Sequence, residues 1–367
     1  MKVLVATGLY PPEIGGPATY SKLLEVELPK RGIATVVLPF RDVRRYPIII
    51  RHVVYCYRLL RAGWKSDIVY AQDPISVGLP AWFAAFVLRK KFVLKVVGDY
   101  AWEQARQRSG FVGTLEEFQS ADVSLFIQIL RTLERFVARR ALRVVVPSKY
   151  LAGIVAEWGV EKKRIVVIYN GVSIGDVGER QIIRGLLHFS GKLLISVGRL
   201  VPWKGFDVVI KVFARLKKKF PDLTLFIAGS GPEMNRLQLT VDSLQLGESV
   251  IFAGQVDHDA LLRYVRAADI FVLNTSYEGF SHQILETMAV GTPIVTTNIG
   301  GNPEAITDGV DGYLVRPGDM SALESRVTTL LEKPDQYKKI VVAARKRVAV
   351  FTDERTVSET ATLLQSL

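Results

Sequence analysis

The stretch "LLISVGRLVPWKGFDVVIKVFARLKKKFPDLTLFIAGSG", residues 193–231, is one complete strand, helix, strand unit. "LLISVGRL" (193–200) and "LTLFIAGSG" (223–231) begin as continuous apolar runs, the signature of strands buried on both faces of a parallel sheet. Between them, about 206–220, the spacing predicts a helix. Two parallel strands joined through a helix are the building block of a doubly wound α/β domain.

The same rhythm continues downstream. Strands are expected at 249–256, 270–276, 293–298 and 312–317, with helices near 233–246, 258–267, 281–290 and 320–332. Upstream it holds as well: "KVLVA" (2–6), "ATVVLP" (34–39), "DIVYA" (67–71), "FVLKVV" (92–97), "RVVVPS" (143–148) and "IVVIYN" (165–170) read as strands, with helices such as 18–32 and 150–160 between them. The segment 173–192 breaks the rhythm with glycines and polar residues and reads as a linker. The chain is therefore expected to hold two tandem Rossmann-like, doubly wound parallel-sheet domains. Ligands of such sheets bind beyond the carboxyl ends of the strands, so two facing domains would form a cleft.

Composition agrees with two globular cores. The 367 residues are 49% hydrophobic and 23% charged, with no internal repeat. Cys56 is the only cysteine, which excludes an intrachain disulfide and a cysteine metal site, and fits a reducing cytoplasm. The start, "MKVLVATGLYPP", reads as a first strand rather than a signal peptide. The longest apolar run, "ISVGLPAWFAAFVL", falls short of the roughly 20 residues of a spanning helix. The net charge of +12 is uneven: residues 1–190 carry 28 Lys+Arg against 16 Asp+Glu, whereas residues 191–367 carry 20 of each. A nucleic acid or an anionic membrane would match such a basic half.

Three clusters carry chemistry. "NTSYEGFSHQILETMAVG" places Glu278 in the loop after a strand and Glu286 eight positions on, inside the following helix. The N–H groups of residues 279 to 282 at that helix start favour an anion, and the flanking carboxylates accept from hydroxyls. In "VGRLVPWKG", Arg199 and Lys204 share a loop that can aim both cations at a diphosphate. In "YPPEIGGPATYS", Gly15 and Gly16 sit in the first strand-to-helix loop, where a glycine lets backbone approach a phosphate, though a tight turn asks for the same pair. Each cluster alone also fits a solvated or dipole-complementing role.

Together and in this order they resemble the retaining glycosyltransferases of the GT-B fold, family 4. The matching elements are "EGFSHQILE", "GRLVPWKG", "IAGSGPE" (227–233), "GGNPEAI" (300–306), "DGVDGYLVRPGD" (308–319) and the early Gly15–Gly16 pair. The resemblance implies an acceptor-side domain over 1–178, completed by a C-terminal crossover at 350–367, and a donor domain over 191–349, with hinges near 173–192 and 348–352. It implies a nucleotide-sugar donor, UDP- or GDP-linked, with Arg199 and Lys204 on the diphosphate, Glu286 on the ribose and Glu278 on the sugar. Backbone at Gly279, Phe280, Ser281 and Leu285 would touch sugar and phosphate, Gly16 would approach the diphosphate and Val256 would border the base. Retention of configuration, a glycan or lipid-linked acceptor, a cytoplasmic site at the inner face of the membrane, and no cofactor or metal are likewise implied.

One position departs from the family. Many members carry a histidine after the fourth strand of the first domain; here "FVLKVVGDYAWE" places Val97 there, followed by Asp99. Asp99 could take over that acceptor-side role or be a turn residue. Asp257 and Asp259 form an Asp-x-Asp that fits a helix cap better than a metal site. His52, His188, His258 and His282 show no H-x3-H spacing, and His282 lies inside the donor motif. Arg44, Arg51, Arg58 and Lys65 repeat every seven residues beside an apolar set, Ile50, Val53, Val54, Tyr57 and Leu60. That pattern predicts a helix packed on the sheet with a basic outer stripe able to meet anionic lipid. A nucleic-acid-binding protein is the alternative class, but no recognised DNA or RNA element accompanies the charge. A dinucleotide oxidoreductase is disfavoured because no G-x-G-x-x-G follows the first strand.

Overall fold

A computed structural model describes the chain from Met1 to Leu367 except Ile14 and the side chains of Ile48 and Ile49. The chain divides into two units: Met1–Asn170 with Asp353–Leu367, and Gly171–Thr352. Each is built on a six-stranded sheet whose paired strands are all parallel.

In the first unit β1 (Lys2–Thr7), β2 (Ala34–Pro39), β3 (Ile68–Ala71), β4 (Lys91–Lys95), β5 (Arg143–Val146) and β6 (Ile165–Val167) are ordered β2-β1-β3-β4-β5-β6. The helices are α1 (Gly16–Glu27), α2 (Ile48–Gly63), α3 (Gly78–Val87), α4 (Tyr100–Arg108), α5 (Leu115–Ser120), α6 (Leu125–Arg140) and α7 (Lys149–Glu157). The path β2 to β3 to β4 to β5 steps across the sheet in one direction, so right-handed crossovers place α2, α3 and α6 on one face. The step from β1 to β2 runs the other way and places α1 on the opposite face. There Tyr20 and Leu24 of α1 and its C-cap Leu28 form a buried cluster with Val3, Val5, Tyr70 and the terminal helix residues Val357, Ala361 and Leu364.

α2 corrects an expectation. Its buried side is Tyr55 and Leu59, with Gly63 so close to Leu88 and Leu4 that an added Cβ would lie 3.0 Å from Leu88 Cδ1. Ile50, Val53 and Tyr57, expected to face the sheet, are exposed. The helix is apolar on two sides, and helical periodicity alone does not say which side the sheet takes. Two cations of the expected stripe are also committed: Arg44 pairs with Glu13, and Arg58 lies 3.3 Å from Asp42.

β4 carries a buried charge-bearing residue among apolar neighbours. Lys95 is 1% exposed, with its Nζ over the Tyr20 ring and 3.5 Å from Asn170 Oδ1. Burial pushes its pKa down to about 7.

In the second unit β7 (Leu193–Val197), β8 (Thr224–Ala228), β9 (Val250–Gly254), β10 (Ile270–Val272), β11 (Ile294–Thr297) and β12 (Tyr313–Val315) are ordered β12-β11-β10-β7-β8-β9. Its helices are α8 (Arg180–Leu186), α9 (Phe206–Lys219), α10 (Met234–Ser243), α11 (His258–Ala267), α12 (His282–Val290), α13 (Asn302–Ala305), α14 (Met320–Glu332) and α15 (Pro334–Val348); α16 (Asp353–Gln365) returns to the first unit. Strand order reverses between β7 and β10, the switch point where such sheets leave a crevice. The segment expected as a linker contains α8, held to the second unit by Arg180 and Arg184, which reach Asp269 at 2.5 and 3.2 Å. Where the chain enters and leaves this unit, Val172 N–H donates to the Phe351 carbonyl at 2.9 Å. No helix among the described residues is long and apolar enough to cross a membrane.

Candidate active site

The loops after β7 and β10 meet at the switch point of the second unit. After β7 the chain passes Gly198 and Arg199 into a single 3-10 turn, Pro202–Lys204, and Gly205 at φ 63° opens α9. An added Cβ on Gly205 would lie 1.9 Å from the Asn274 carbonyl oxygen, so only glycine lets the two loops touch. The Trp203 carbonyl then accepts from Ser276 N at 2.7 Å and Thr275 Oγ1 at 3.1 Å. These contacts bring Lys204 Nζ to 2.6 Å from Glu278 Oε2, both side chains mostly buried. Arg199 stays exposed with its guanidinium 5.3 Å from the Trp203 ring centroid.

The Glu278 loop rests on a glycine pair. Gly300, at φ 58°, would place a Cβ 2.0 Å from the Glu278 carbonyl oxygen, and Gly301 N–H donates to that oxygen at 2.9 Å. This is the physical content of "GGNPEAI": backbone supporting backbone under the acidic loop. α12 follows, with Ser281 as N-cap accepting from Ile284 N. Gly279, Phe280 and Ser281 are buried at its start, and His282 is partly exposed. The Leu285 N–H, expected on the ligand, already donates to the Ser281 carbonyl at 3.3 Å and closes the first helical turn.

Glu286, on the second turn of α12, is held from two sides: its Oε1 lies 2.8 Å from His258 Nε2, and its Oε2 accepts from Gln283 Nε2 at 2.8 Å. The carboxylate raises the His258 pKa above the usual histidine value, partly opposed by desolvation, with Asp259 and Asp257 adding to the rise. Asp257 itself caps α11, accepting from Asp259 N at 3.0 Å. Val256, at the expected base edge, is two residues before His258, so β9, α11 and α12 converge at Glu286. His258 was noted in the sequence only as a lone histidine; its partner is 28 residues away and no local signal joins them.

In the first unit, Gly15 precedes α1 at φ 149° and Gly16 begins that helix, beyond the carboxyl end of β1. Asp99 is the N-cap of α4. Its Oδ1 accepts from Trp102 N at 2.8 Å, its Oδ2 from Gln119 Nε2 at 3.1 Å, and only 1% of it is exposed. Glu134 lies beside it, accepting from Tyr100 N and Ala101 N at 2.8 and 3.0 Å. Burial raises both carboxyl pKa values, and the Asp99 charge pushes Glu134 further up. The helix cap takes one Asp99 oxygen and the Gln119 amide the other, in a residue that is almost wholly buried.

Asp73, which sequence reading missed, is better placed. It follows β3, next to β1 at the point where strand order reverses in the first unit. Its Oδ1 accepts from Ile75 N and Ser76 N at 2.9 and 2.6 Å, the residue is partly exposed, and burial raises its pKa to about 6 despite those bonds. An aspartate just past a buried strand is the signal that could have found it.

Comparison with known proteins agrees with this architecture. Residues 3–175 match Glycosyltransferase Family 4 and residues 181–347 match Glycosyl transferases group 1. Over 354 residues the chain is 30% identical to the glycogen synthase of Mycobacterium tuberculosis, covering 93% of this chain and 81% of the relative. It is 26% identical over 383 residues to the N-acetyl-alpha-D-glucosaminyl L-malate synthase of Bacillus anthracis, covering 99% and 97%. Among solved structures, Anabaena Alr3699/HepE in complex with UDP-glucose superposes with a TM-score of 0.79 at 20% identity, each chain fully covered. The sucrose-phosphate synthase of Thermosynechococcus elongatus superposes at 0.81 and 18% identity, with 100% of this chain and 98% of that one covered. The two parallel-sheet units thus define a GT-B glycosyltransferase. The chain belongs to glycosyltransferase family 4.

Proposed function

We propose that the enzyme transfers a hexose-type sugar from a UDP- or GDP-linked donor to a glycan or lipid-linked acceptor in the cytoplasm, with retention of configuration and without a metal. The observation that carries this reading is the meeting of Lys204, Glu278 and the α12 N-terminus at the switch point, with Glu286 one turn further on. A diphosphate there meets two cations and a helix start, and the ribose and sugar hydroxyls meet the two carboxylates. UDP-glucose bound to a protein of the same fold supports the donor class.

Transfer breaks the bond from the sugar C1 to the phosphate oxygen and forms one from C1 to the acceptor oxygen. Charge grows on the departing diphosphate, where Lys204, Arg199 and the α12 dipole stabilise it, and the acceptor proton passes to a diphosphate oxygen on the same face. In this reading Glu278 serves the sugar and Glu286 the ribose, so neither is assigned as a nucleophile. Asp73, in place of Asp99, is the acid we assign to the acceptor side.

The test is ligand-observed NMR with EDTA present against UDP-, GDP- and ADP-sugars, repeated on Glu286→Ala. Selective binding of one donor, lost in the variant, supports the reading. A donor that binds only after a divalent metal is restored removes metal independence, and no donor bound under either condition removes the transferase assignment of this site.

A further inference from the structure

The loop between β1 and α1 is gripped by arginines that follow another strand. After β2 the chain makes a short 3-10 turn, Phe40–Val43, which contains Arg41 and is capped by Arg44. Arg41 Nη1 donates to the Tyr10 carbonyl at 3.1 Å and to the Pro11 carbonyl, with the guanidinium 5.7 Å from the Tyr10 ring centroid. Arg44 Nη2 donates to the Gly8 carbonyl at 2.8 Å while its Nη1 pairs with Glu13, and Glu13 Oε2 accepts from Tyr10 N at 3.2 Å. Asp42 steadies the turn, 3.7 Å from Arg41 Nε and 3.3 Å from Arg58 of α2. The carbonyls of residues 8, 10 and 11, which lie outside strand and helix, thereby gain fixed partners. A planar guanidinium fork can hold two acceptors in one geometry, which the point charge of a lysine does not.

The gripped loop lies against Asp73. An added Cβ on Gly8 would stand 3.2 Å from Asp73 Oδ2. Asp73 Oδ1 is already tied, with Val77 N–H donating at 3.3 Å beside those of Ile75 and Ser76, whereas no hydrogen bond reaches Oδ2 among the described residues. Burial raises the pKa of this carboxyl against those backbone donors, and the Gly8 backbone is part of that burial. The titratable groups that feel its charge are Tyr55 of α2 and Tyr100 of α4. Both are raised first by desolvation and further by Asp73, with Arg58 opposing at Tyr55 and Arg108 at Tyr100, so both are neutral where Asp73 titrates.

We propose that Arg41 and Arg44 are positioning residues: they clamp the β1–α1 loop beside Asp73, so that its unbonded Oδ2 is kept dry and fixed for an acceptor hydroxyl. The backbone donors after β3 hold one oxygen of the carboxyl, and the clamped loop shields the other. A hydrogen bond accepted in such a recess is stronger than one made in water. Two arginines distant from Asp73 in sequence thus act on the acceptor through the loop they hold, without touching it. The inference rests on the assignment of Asp73 to the acceptor side and adds the groups that keep that acid in place.

The experiment replaces Arg41→Lys together with Arg44→Lys in the full chain, which keeps both charges and removes both forks. Hydrogen exchange of residues 8–13 should quicken about tenfold or more, while the amides of β1 and β3 keep their protection. The Asp73 carboxyl, followed by NMR with carbon-labelled aspartate, should titrate lower than in the wild type, toward the ordinary aspartate value, as water reaches Oδ2. Unchanged exchange in the loop overturns the clamp. Faster exchange with an unmoved Asp73 titration overturns the positioning role, and so does a loss of protection spread evenly over the first unit. The acceptor assignment is checked apart from the clamp, by Asp73→Asn. That variant should lower the rate of transfer from the donor selected in the NMR panel by about tenfold or more. Transfer at the wild-type rate would overturn the assignment and the positioning role with it, whatever the exchange of the loop.

Discussion

Lys204 and Glu278 lie 2.6 Å apart across two loops, so each holds the other where the donor would need it. If Lys204 stabilises the leaving group as proposed, Lys204→Ala should lower kcat/KM by about 10²–10³, because it removes that charge and leaves Glu278 unpaired. A steady-state assay with the matching donor checks this, and a loss below about tenfold would place the diphosphate elsewhere. Glu286 yields a pH dependence through His258. The His258 pKa is raised by its bond to Glu286, so the stabilisation from this pair is fully present below the unfolded histidine value and fades as pH rises through the folded one. On the proposed assignment ribose hydroxyls compete for the same carboxylate, so nucleotide affinity should rise over that window as His258 loses its proton. Calorimetric titration across the window should show the rise in the wild type and a flat profile in His258→Gln. The placement of Glu278, Arg199 and Lys204 in loops after strands, and of Glu286 inside a helix, was readable because it is set by local sequence. The His258–Glu286 bond and the capping of α4 by Asp99 were not, since each partner is supplied by the path of the chain.

At the scale of elements, the glycine pair beneath the acidic loop and the lysine inside β4 make opposite predictions. Gly300→Ala adds a Cβ where the Glu278 carbonyl already stands and strains a left-handed backbone, so it should lower both the thermal midpoint and donor affinity without touching any ligand. Full donor affinity in that variant would separate loop support from binding. Lys95, with its pKa near 7, is lower in the folded chain than in the unfolded one. The unfolded state therefore binds the extra proton between about pH 7 and 10, and stability should climb through that range. Lys95→Met should abolish the climb and raise the unfolding free energy at neutral pH, by an amount on the order of a few kcal/mol, in denaturant melts taken at several pH values. The strands among the described residues were legible because they read as short apolar, β-branched runs, unbroken in the buried central strands and still visible in the part-exposed edge strands β2, β6 and β9. The orientation of α2 was not, because Tyr55 and Leu59 compete with Ile50, Val53 and Tyr57 for the same description and only packing against the sheet breaks the tie.

At the scale of the whole molecule, the second unit is one continuous segment, whereas the first is closed by α16 returning from the far end of the chain. Tyr20 and Thr360 hydroxyls meet at 3.2 Å, and Thr356 donates to the Tyr169 carbonyl at 2.8 Å, so removal of α16 would open the core that α1 shares with it. Scanning calorimetry should resolve two transitions, and the matching nucleoside diphosphate should raise only one of them, as a ligand held by the second unit does. Equal shifts of both would mean that the nucleotide contacts both units with comparable strength.

The sequence by itself determined two parallel α/β sheets, the order of their strands along the chain and the family, because those follow from local hydrophobic runs and short motifs. Only the tertiary structure decided which side of α2 faces water, that Lys204 and Glu278 pair, that His258 holds Glu286, and that Asp73 rather than Asp99 reaches the surface. Each depends on residues far apart in the chain, whose meeting is set by the strand order β2-β1-β3 and β10-β7-β8, and no local pattern encodes that order.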